Sequence, residues 1–377
     1  MTSRYPDDVP RLTDGTVTLR AMTEADLPAS VEQSVDPETV RWTTVPSPYG
    51  LEDARAYLGV IRAGWEDEGD RIFVIEVTGG PDPVPFAGLI DVRAAKGGAA
   101  WSVGFATHPA ARGRGLMTAA LRLAAAWAFE QGAPSVYWYA GVGNWASRRV
   151  AWKAGMTFHG TLPQHVGGRD GTAQDAWVAS LLPGQDMRPQ TPWVTAPVIE
   201  GEQVRLRPWR DDDGAGLEPN DDPAHWVPSI GPRMHRDDFP AWLERRREAV
   251  AAGRAVDWCV ADRESDRALG DIDLFVREGT LEGADVAELG YQLTPGARGR
   301  GVASEAAALV VAHARRPLAE GGLGLRRLVA ETAADNEASN TVLRRTGFTE
   351  CGRERAVDSL PGGVYGDALS WELVDGP

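Results

Sequence analysis

The sequence predicts an α/β protein with a mixed sheet, built twice in tandem. Three observations carry that prediction: a block that recurs at a fixed offset, strand and helix signals in the same order in each copy, and a proline-rich stretch between them. The chain reads Gly104-Phe-Ala-Thr-His-Pro109-Ala-Ala-Arg112-Gly113-Arg114-Gly115, and later Gly290-Tyr-Gln-Leu-Thr-Pro295-Gly-Ala-Arg298-Gly299-Arg300-Gly301. Gly290 lies 186 residues after Gly104, and the offset holds through Gly115 and Gly301. Upstream, Val17-Thr-Leu-Arg20 matches Val204-Arg-Leu-Arg207; downstream, Asn144-Trp-Ala-Ser147 with Ala154-Gly155 matches Asn336-Glu-Ala-Ser339 with Thr346-Gly347. One glycine-rich patch recurs by chance; three matched blocks in one order mark two copies of one domain. Pro183, Gly184, Pro189, Pro192 and Pro197 favour extended backbone and cannot continue a helix. The expected domains are therefore residues 11–183 and 199–375, joined by a linker at 184–198, and each is long enough to bury its own core.

Each copy opens with a short strand, Val17 to Arg20 or Val204 to Arg207. Amphipathic helices are expected at Leu51 to Glu66 and Arg236 to Ala251. Strands rich in β-branched and aromatic residues follow: Arg71 to Val77, Phe86 to Val92 and Ala100 to Phe105, then Val256 to Ala261, Ala268 to Val276 and Val286 to Leu293 in the second copy. The glycine-rich turn comes next, then an alanine-rich helix (Leu116 to Phe129; Val302 to Ala314). A strand (Ser135 to Tyr139; Arg327 to Glu331) leads to a helix opened by Asn144 or Asn336 and closed by Gly155 or Gly347, residues suited to those ends. Final strands complete each copy. The order is an antiparallel meander feeding a strand–turn–helix unit.

Composition narrows the function classes. Of 377 residues, 43% are hydrophobic and 25% charged, as in ordinary globular chains, and no apolar run is long enough to span a membrane. Met1 to Arg11 lacks the basic start and apolar stretch of a secretory signal, so the expected location is cytoplasmic. The abundance of Gly, Ala, Arg and Asp resembles a bacterial composition. Cys259 and Cys351 form no disulfide framework, and the 6 histidines show no ligand spacing, so no metal is expected. The net charge of −15 disfavours nucleic acid and favours cationic small molecules or peptide amines.

The glycine-rich turn is the first candidate site. Gly299 and Gly301 permit backbone angles closed to other residues and let a ligand approach the main chain. The first N–H groups of the following helix lack internal partners and lie at the positive end of its dipole. A pyrophosphate fits such a mouth, with Arg298 and Arg300 beside it. A plain strand-to-helix turn with two surface arginines is the alternative. No Gly-Lys-Ser/Thr follows, and the spacing is not that of a dinucleotide fold.

Arg298, Gly301 and Ala303 resemble the Arg/Gln-x-x-Gly-x-Gly/Ala acyl-CoA motif of the GNAT (GCN5-related N-acetyltransferase) superfamily. Arg112 and Gly115 match it too, with Met117 where a small residue is expected. Asn336, Ser339, Val342 and Thr346-Gly347-Phe348 resemble the family's later helix. Gly290-Tyr291 and the Leu-Arg of the first strand are most similar to the branch that acetylates ribosomal-protein N-termini. The resemblance implies direct attack of an amine on an acyl-CoA thioester, most simply acetyl-CoA, in a ternary complex. The acceptor would be a small-molecule amine or a peptide N-terminus.

The resemblance also implies site residues. Cofactor contacts are expected from Tyr291, Gln292, Leu293, Arg298, Gly299, Arg300, Gly301, Val302, Ala303 and Asn336, with Arg112, Gly113, Arg114 and Gly115 in the first copy. An oxyanion donor is expected from a main-chain N–H between Gly290 and Gln292, at a bulge. Asp271 and Asp273 share a strand face, and Glu288 on the next strand converges with them if the two pair as a hairpin. Glu288 is the chosen base, with Asp273 beside it; a solvated sheet face is the alternative. Many family members place a tyrosine acid where this chain has Leu343 and Ala151; the ribosomal-protein branch instead has a serine in this helix near the CoA sulfur, and that resemblance implies Ser339 as the acid, with Asn336 and Ser339 as helix caps the alternative. Ser102 replaces Glu288 in the first copy, which assigns catalysis to the second. A longer-chain acyl or aminoacyl transferase with the chain between the domains, and a non-catalytic CoA-binding sensor or scaffold, remain open. So does the choice between a monomeric pseudo-dimer and a homodimer.

Overall fold

The computed structural model describes residues 5–374 apart from 67–68, 80–81, 95–98, 170, 220–221, 224–225, 227–233, 282–283 and 361. Residue 375, the expected end of the second copy, lies outside the described residues. The chain divides into two compact units, Met1–Gln190 and Thr191–Pro377. Residues 184–198 form no helix or strand, yet they are not detached. Gln185 donates to the Gly155 carbonyl at 2.8 Å in the first unit, and the Trp258 indole donates to the Pro197 carbonyl at 2.9 Å in the second.

The first unit contains β1 (Leu12–Thr13), β2 (Val17–Arg20), α1 (Leu27–Val35), α2 (Pro37–Trp42), α3 (Leu51–Glu66), β3 (Arg71–Val77), β4 (Val84–Arg93), β5 (Trp101–Thr107), α4 (Leu116–Glu130), β6 (Val136–Gly141), α5 (Trp145–Lys153), β7 (Thr157–Gly167) and β8 (Ala173–Leu181). The second contains β9 (Ile199–Glu200), β10 (Val204–Arg207), α6 (Phe239–Ala251), β11 (Ala255–Asp262), β12 (Ala268–Phe275), β13 (Val286–Leu293), α7 (Val302–Arg315), β14 (Arg327–Ala333), α8 (Glu337–Arg345), β15 (Thr349–Ser359) and β16 (Tyr365–Val374). The sheets run β1-β2-β3-β4-β5-β6-β8-β7 and β9-β10-β11-β12-β13-β14-β16-β15, so the two copies share one topology. All neighbours are antiparallel except β5 with β6 and β13 with β14. A parallel pair needs a crossover, and α4 and α7 supply it; each begins at the glycine-rich turn.

The alanine-rich helices bury one stripe against their sheets. In α7 these are Val302, Ala306, Val310 and Ala314, packed with Leu206, Trp258 and Leu328. Short side chains let helix and sheet approach closely. The later helices end as their sequence predicts. The Asn144 and Asn336 side chains each accept from the N–H of Ser147 and Ser339 at 3.1 Å. Gly155 and Gly347 then adopt φ of +85° and +93°, and the next N–H groups return to Ala151 and Leu343.

Two expectations need correction. The helix placed from Arg236 begins at Phe239, because Pro240 is tolerated in the first turn and not inside a helix. The bulge expected between Gly290 and Gln292 is absent: β12 pairs β13 from Gly270↔Leu293 to Phe275↔Glu288 without a register shift.

The repeated Leu-Arg of the opening strands has a structural cause. Leu19 and Leu206 are fully buried. Arg207 lies at 2% exposure and binds the Asp213 carboxylate through two N–H groups, at 2.8 and 2.7 Å, with Asp266 at 3.0 Å. Arg20 holds Asp26 in the same two-pronged way. The pair ties each opening strand to the loop that follows it. Replacing Asp213 with Ala leaves a buried guanidinium short of a partner, and the expected loss is about 3–5 kcal/mol. Urea unfolding of the variant against wild type measures it.

A cleft where two strands part

Strands β13 and β14 pair only over Val286↔Arg327, Ala287↔Leu328 and Glu288↔Val329. Beyond Glu288, β13 stays with β12 and β14 stays with β16 as far as Ala333↔Ala368. The two strands part, and a cleft of about 1370 Å³ opens between them. Leu289 to Leu293 form one wall and Ala330 to Ala333 the other, with the start of α7 and the face of α8 at its sides. Main-chain groups on the parted edges have no strand to bond, so they are available to a ligand.

The glycine-rich turn stands at the mouth of α7. Gly299 and Gly301 take φ of +71° and +85°, and Gly113 and Gly115 repeat this at +75° and +77°. A Cβ would meet nothing within 4 Å at Gly299 and only the Gln203 side chain, at 3.9 Å, at Gly301. Backbone angle, and not crowding by the protein, therefore requires glycine here. The first N–H groups of α7, those of Val302, Ala303 and Ser304, open on the cleft. Arg298 is placed differently from its expected role. Its guanidinium bonds the Leu293 carbonyl at 3.1 Å and the Asp222 carboxylate at 3.0 Å, so it braces the turn. Arg112 likewise holds Asp36 in the first copy. Arg300 is exposed beside the mouth.

The acidic residues converge as their shared face requires. Asp271, Asp273 and the neighbouring strand's Asp257 surround Arg246 of α6. The guanidinium meets Asp273 at 2.6 Å and also contacts Asp271, whose other oxygen accepts from the Trp209 indole at 3.1 Å. Burial pushes the Asp273 carboxyl up to about 7 despite Arg246, and burial also drives Asp257 well above the usual carboxylate range. Asp273 stands against Gly290, where a Cβ would come within 2.6 Å of its Oδ1. Asp91 and Gly104 repeat that contact in the first copy.

Glu288 faces the cleft where the strands part. Its side chain is 12% exposed, and it is held by Arg277 at 2.6 and 3.1 Å; Arg277, 67% exposed, also reaches Glu331 at 3.3 Å. Across the cleft, Ser339 Oγ lies 2.7 Å from the Tyr291 hydroxyl. Burial pushes the Tyr291 phenol up to about 12, so it stays protonated. Asn336 caps α8 and also lines the cleft. Gln292 lines the same wall, and its buried Nε2 finds no partner among the described residues.

Sequence reasoning missed Arg246, Arg277, Asp257 and the Tyr291–Ser339 contact. Alternation on β11 could have placed Asp257 with Asp271 and Asp273; the two arginines carry no local signal.

The first copy packs the equivalent position with a larger side chain. Trp138 stands where the second copy has Ala330, each six residues before its capping Asn. Its indole is 1% exposed and donates to Ser147 Oγ at 3.0 Å. Pairing of β5 with β6 also continues to Val103↔Trp138, one residue further than the equivalent pairing in the second copy. Met117, the counterpart of Ala303, is buried in the core at 4% exposure.

Comparison with known proteins follows this geometry. The family model described as an acetyltransferase (GNAT) domain matches residues 16–157 and again 203–349, well over half of the chain. No curated protein matches the chain. Solved structures that it resembles include Mycobacterium smegmatis RimJ in complex with CoA-disulfide, at 20% identity over 48% of this chain and 92% of that one, TM-score 0.41. A GNAT-family acetyltransferase from Bacillus anthracis matches at 17% identity over 47% of this chain and 98% of that one, TM-score 0.38. The microcin C7 self-immunity acetyltransferase MccE, in complex with acetyl-CoA and AMP, matches at 15% identity over 45% of this chain and 98% of that one, TM-score 0.40.

The buried carboxyls give the second unit a pH signature. An Asp raised from about 3.9 when unfolded takes up a proton on folding. Its stabilising contribution is complete below about pH 4 and is lost as pH rises through the folded value, which for Asp273 is about 7. The stability difference between wild type and Asp273→Asn should therefore shift toward the variant from pH 4 to pH 8. Urea midpoints across that range read the slope; a flat difference would mean that Asp273 is ionised throughout.

Proposed function

The chain belongs to the GNAT acetyltransferase family, and from that premise we propose that its C-terminal copy transfers an acyl group, most simply acetyl, from acyl-CoA to an amine. One observation carries the reading: the parting of β13 and β14 leads straight to the left-handed Gly299–Gly301 turn. A pyrophosphate at the mouth of α7 receives the N–H groups of the first turn, and Arg300 adds charge beside it. From there the cleft runs between strand edges whose free peptide groups bond an extended amide-bearing arm, as a third strand would. The thioester then lies between Gly290–Gln292 and Ser339.

The residues divide the work. Glu288 takes the proton from the acceptor ammonium, directly or through water, after Arg277 swings off it. Arg277 is 67% exposed, so it is the partner that moves while Glu288 stays at the cleft. Asp273 is buried against Arg246 and its carboxyl is raised to about 7, so it holds a proton over much of the neutral range, and the base is Glu288. A main-chain N–H of the Gly290–Gln292 edge serves the oxyanion, and Ser339 serves the departing sulfur. The acceptor is a small-molecule amine or a peptide N-terminus, in keeping with the acidic chain. The N-terminal copy is auxiliary in this reading, because a buried Trp138 stands where Ala330 lines the cleft of the second copy and Ser102 replaces Glu288.

Two experiments test the proposal. Titration calorimetry with acetyl-CoA should show binding that Gly301→Glu abolishes, since a side chain at φ of +85° strains the turn and its charge repels phosphate. A folded variant with wild-type affinity would refute the assigned mouth. In thiol-release assays across an amine panel, Glu288→Gln should lower kcat on the order of 100-fold and flatten the acid side of the pH profile. Equal loss from Ser102→Ala would place catalysis in the first copy instead.

A further inference from the structure

The contact between Tyr291 and Ser339 goes beyond a shared wall. Ser339 Oγ lies 2.7 Å from the phenol, where either oxygen could donate, and the Ser339 main-chain oxygen, which can only accept, lies 3.1 Å from it. The first copy points to one direction for the shorter contact. There Ser147 occupies the equivalent place, and its partner is the Trp138 indole, which can only donate. The serine oxygen is the acceptor in that copy, so its own hydrogen is left for something else. In the second copy Ala330 replaces Trp138 and Tyr291 replaces Phe105, so the aromatic donor moves from one strand to the other. The serine keeps an aromatic neighbour, while the position of the indole is taken by a methyl group that lines the cleft.

We propose that Tyr291 is a positioning residue that holds Ser339 with its O–H directed at the sulfur of the acyl donor. The inference rests on the acyl-transfer reading above. The phenol shares its one hydrogen between Ser339 Oγ, the nearer acceptor, and the Ser339 carbonyl; Ser339 Oγ in turn donates to sulfur as the C–S bond breaks and the electron pair stays on sulfur. The proton that finally neutralises the thiolate is the one the amine gives up, so amine and thioester become amide and thiol with nothing else consumed. Because burial keeps Tyr291 protonated to about pH 12, the donor stays in place across the working range. Two hydrogen bonds in series polarise each other, which strengthens the bond that reaches the developing charge. The effect belongs to the transition state, so it appears in kcat and not in KM.

Tyr291→Phe removes the hydroxyl and keeps the ring. The expected result is a fall in kcat of about tenfold, the size of one lost hydrogen bond, with both KM values within twofold of wild type. Ser339→Ala should fall at least as far. The double variant should be no slower than Ser339→Ala alone, because Tyr291 acts only through that hydroxyl. Ser339→Thr, which restores a hydroxyl, should recover part of the rate and regain its sensitivity to Tyr291→Phe. An active enzyme in which Tyr291→Phe keeps full kcat, or in which the two losses multiply, overturns the inference and leaves acyl transfer standing. A wild-type chain that releases no thiol with any amine overturns acyl transfer, and this inference with it.

Discussion

The interaction on which the rest depends is one that is not made. After Glu288, β13 keeps its antiparallel partner β12 and gives up β14. A sheet normally satisfies both edges of an interior strand, and an interior edge without a partner leaves peptide groups unbonded. The structure sustains this because each strand remains fully paired on its other side and because α7 and α8 pack beneath the gap. The cleft is thus a property of the backbone. Its existence does not depend on any single side chain, whereas its use does.

That distinction separates the two copies. Both have the same strand order, the same left-handed glycines and the same capped later helix. They differ in what fills the parting. Trp138 puts a large ring where Ala330 leaves space, and it takes up the serine that the second copy keeps for Tyr291. Ser102 removes the carboxylate that Glu288 supplies. These changes leave the fold intact because each is internally consistent: the indole N–H is satisfied, and the extra β5–β6 pair closes the main chain it covers.

The sequence made the architecture legible because glycine, proline and capping residues are local signals, and a repeat doubles every one of them. The turn at Gly299–Gly301, the caps at Asn144 and Asn336, and the span Val286–Leu293 needed no tertiary information. The convergence of Asp271, Asp273 and Glu288 was legible as well, because alternation fixes a strand's faces and a hairpin joins them. What was hidden depends on long-range contact. Arg246 comes from a helix with no sequence relation to the carboxylates it meets, and Arg277 extends from a loop. The bulge was expected because a free N–H seemed to demand irregular backbone. The molecule frees its main chain by parting from a neighbour, and strand registers of that kind are not written in local sequence. Tyr291 was expected only as a cofactor contact for the same reason, since its partner lies 48 residues later.

The enclosed acidic group follows a different logic from the cleft. Three aspartates around one arginine leave excess negative charge in a low-dielectric place, and burying charge without full pairing is costly. A stability argument would not build such a group. The fold tolerates it by keeping protons on carboxyls that would otherwise ionise, which is why Asp257 and Asp273 are raised despite Arg246. Placed beside Gly290, the group lines the cleft, with Asp271 and Asp273 almost wholly buried. Glu288, just beyond it, is the carboxylate that both faces the cleft and has a partner able to leave. In the acyl-transfer reading proposed above, Glu288 is thus the carboxylate that meets the acceptor, and the largely protonated carboxyls beside it add little charge of their own.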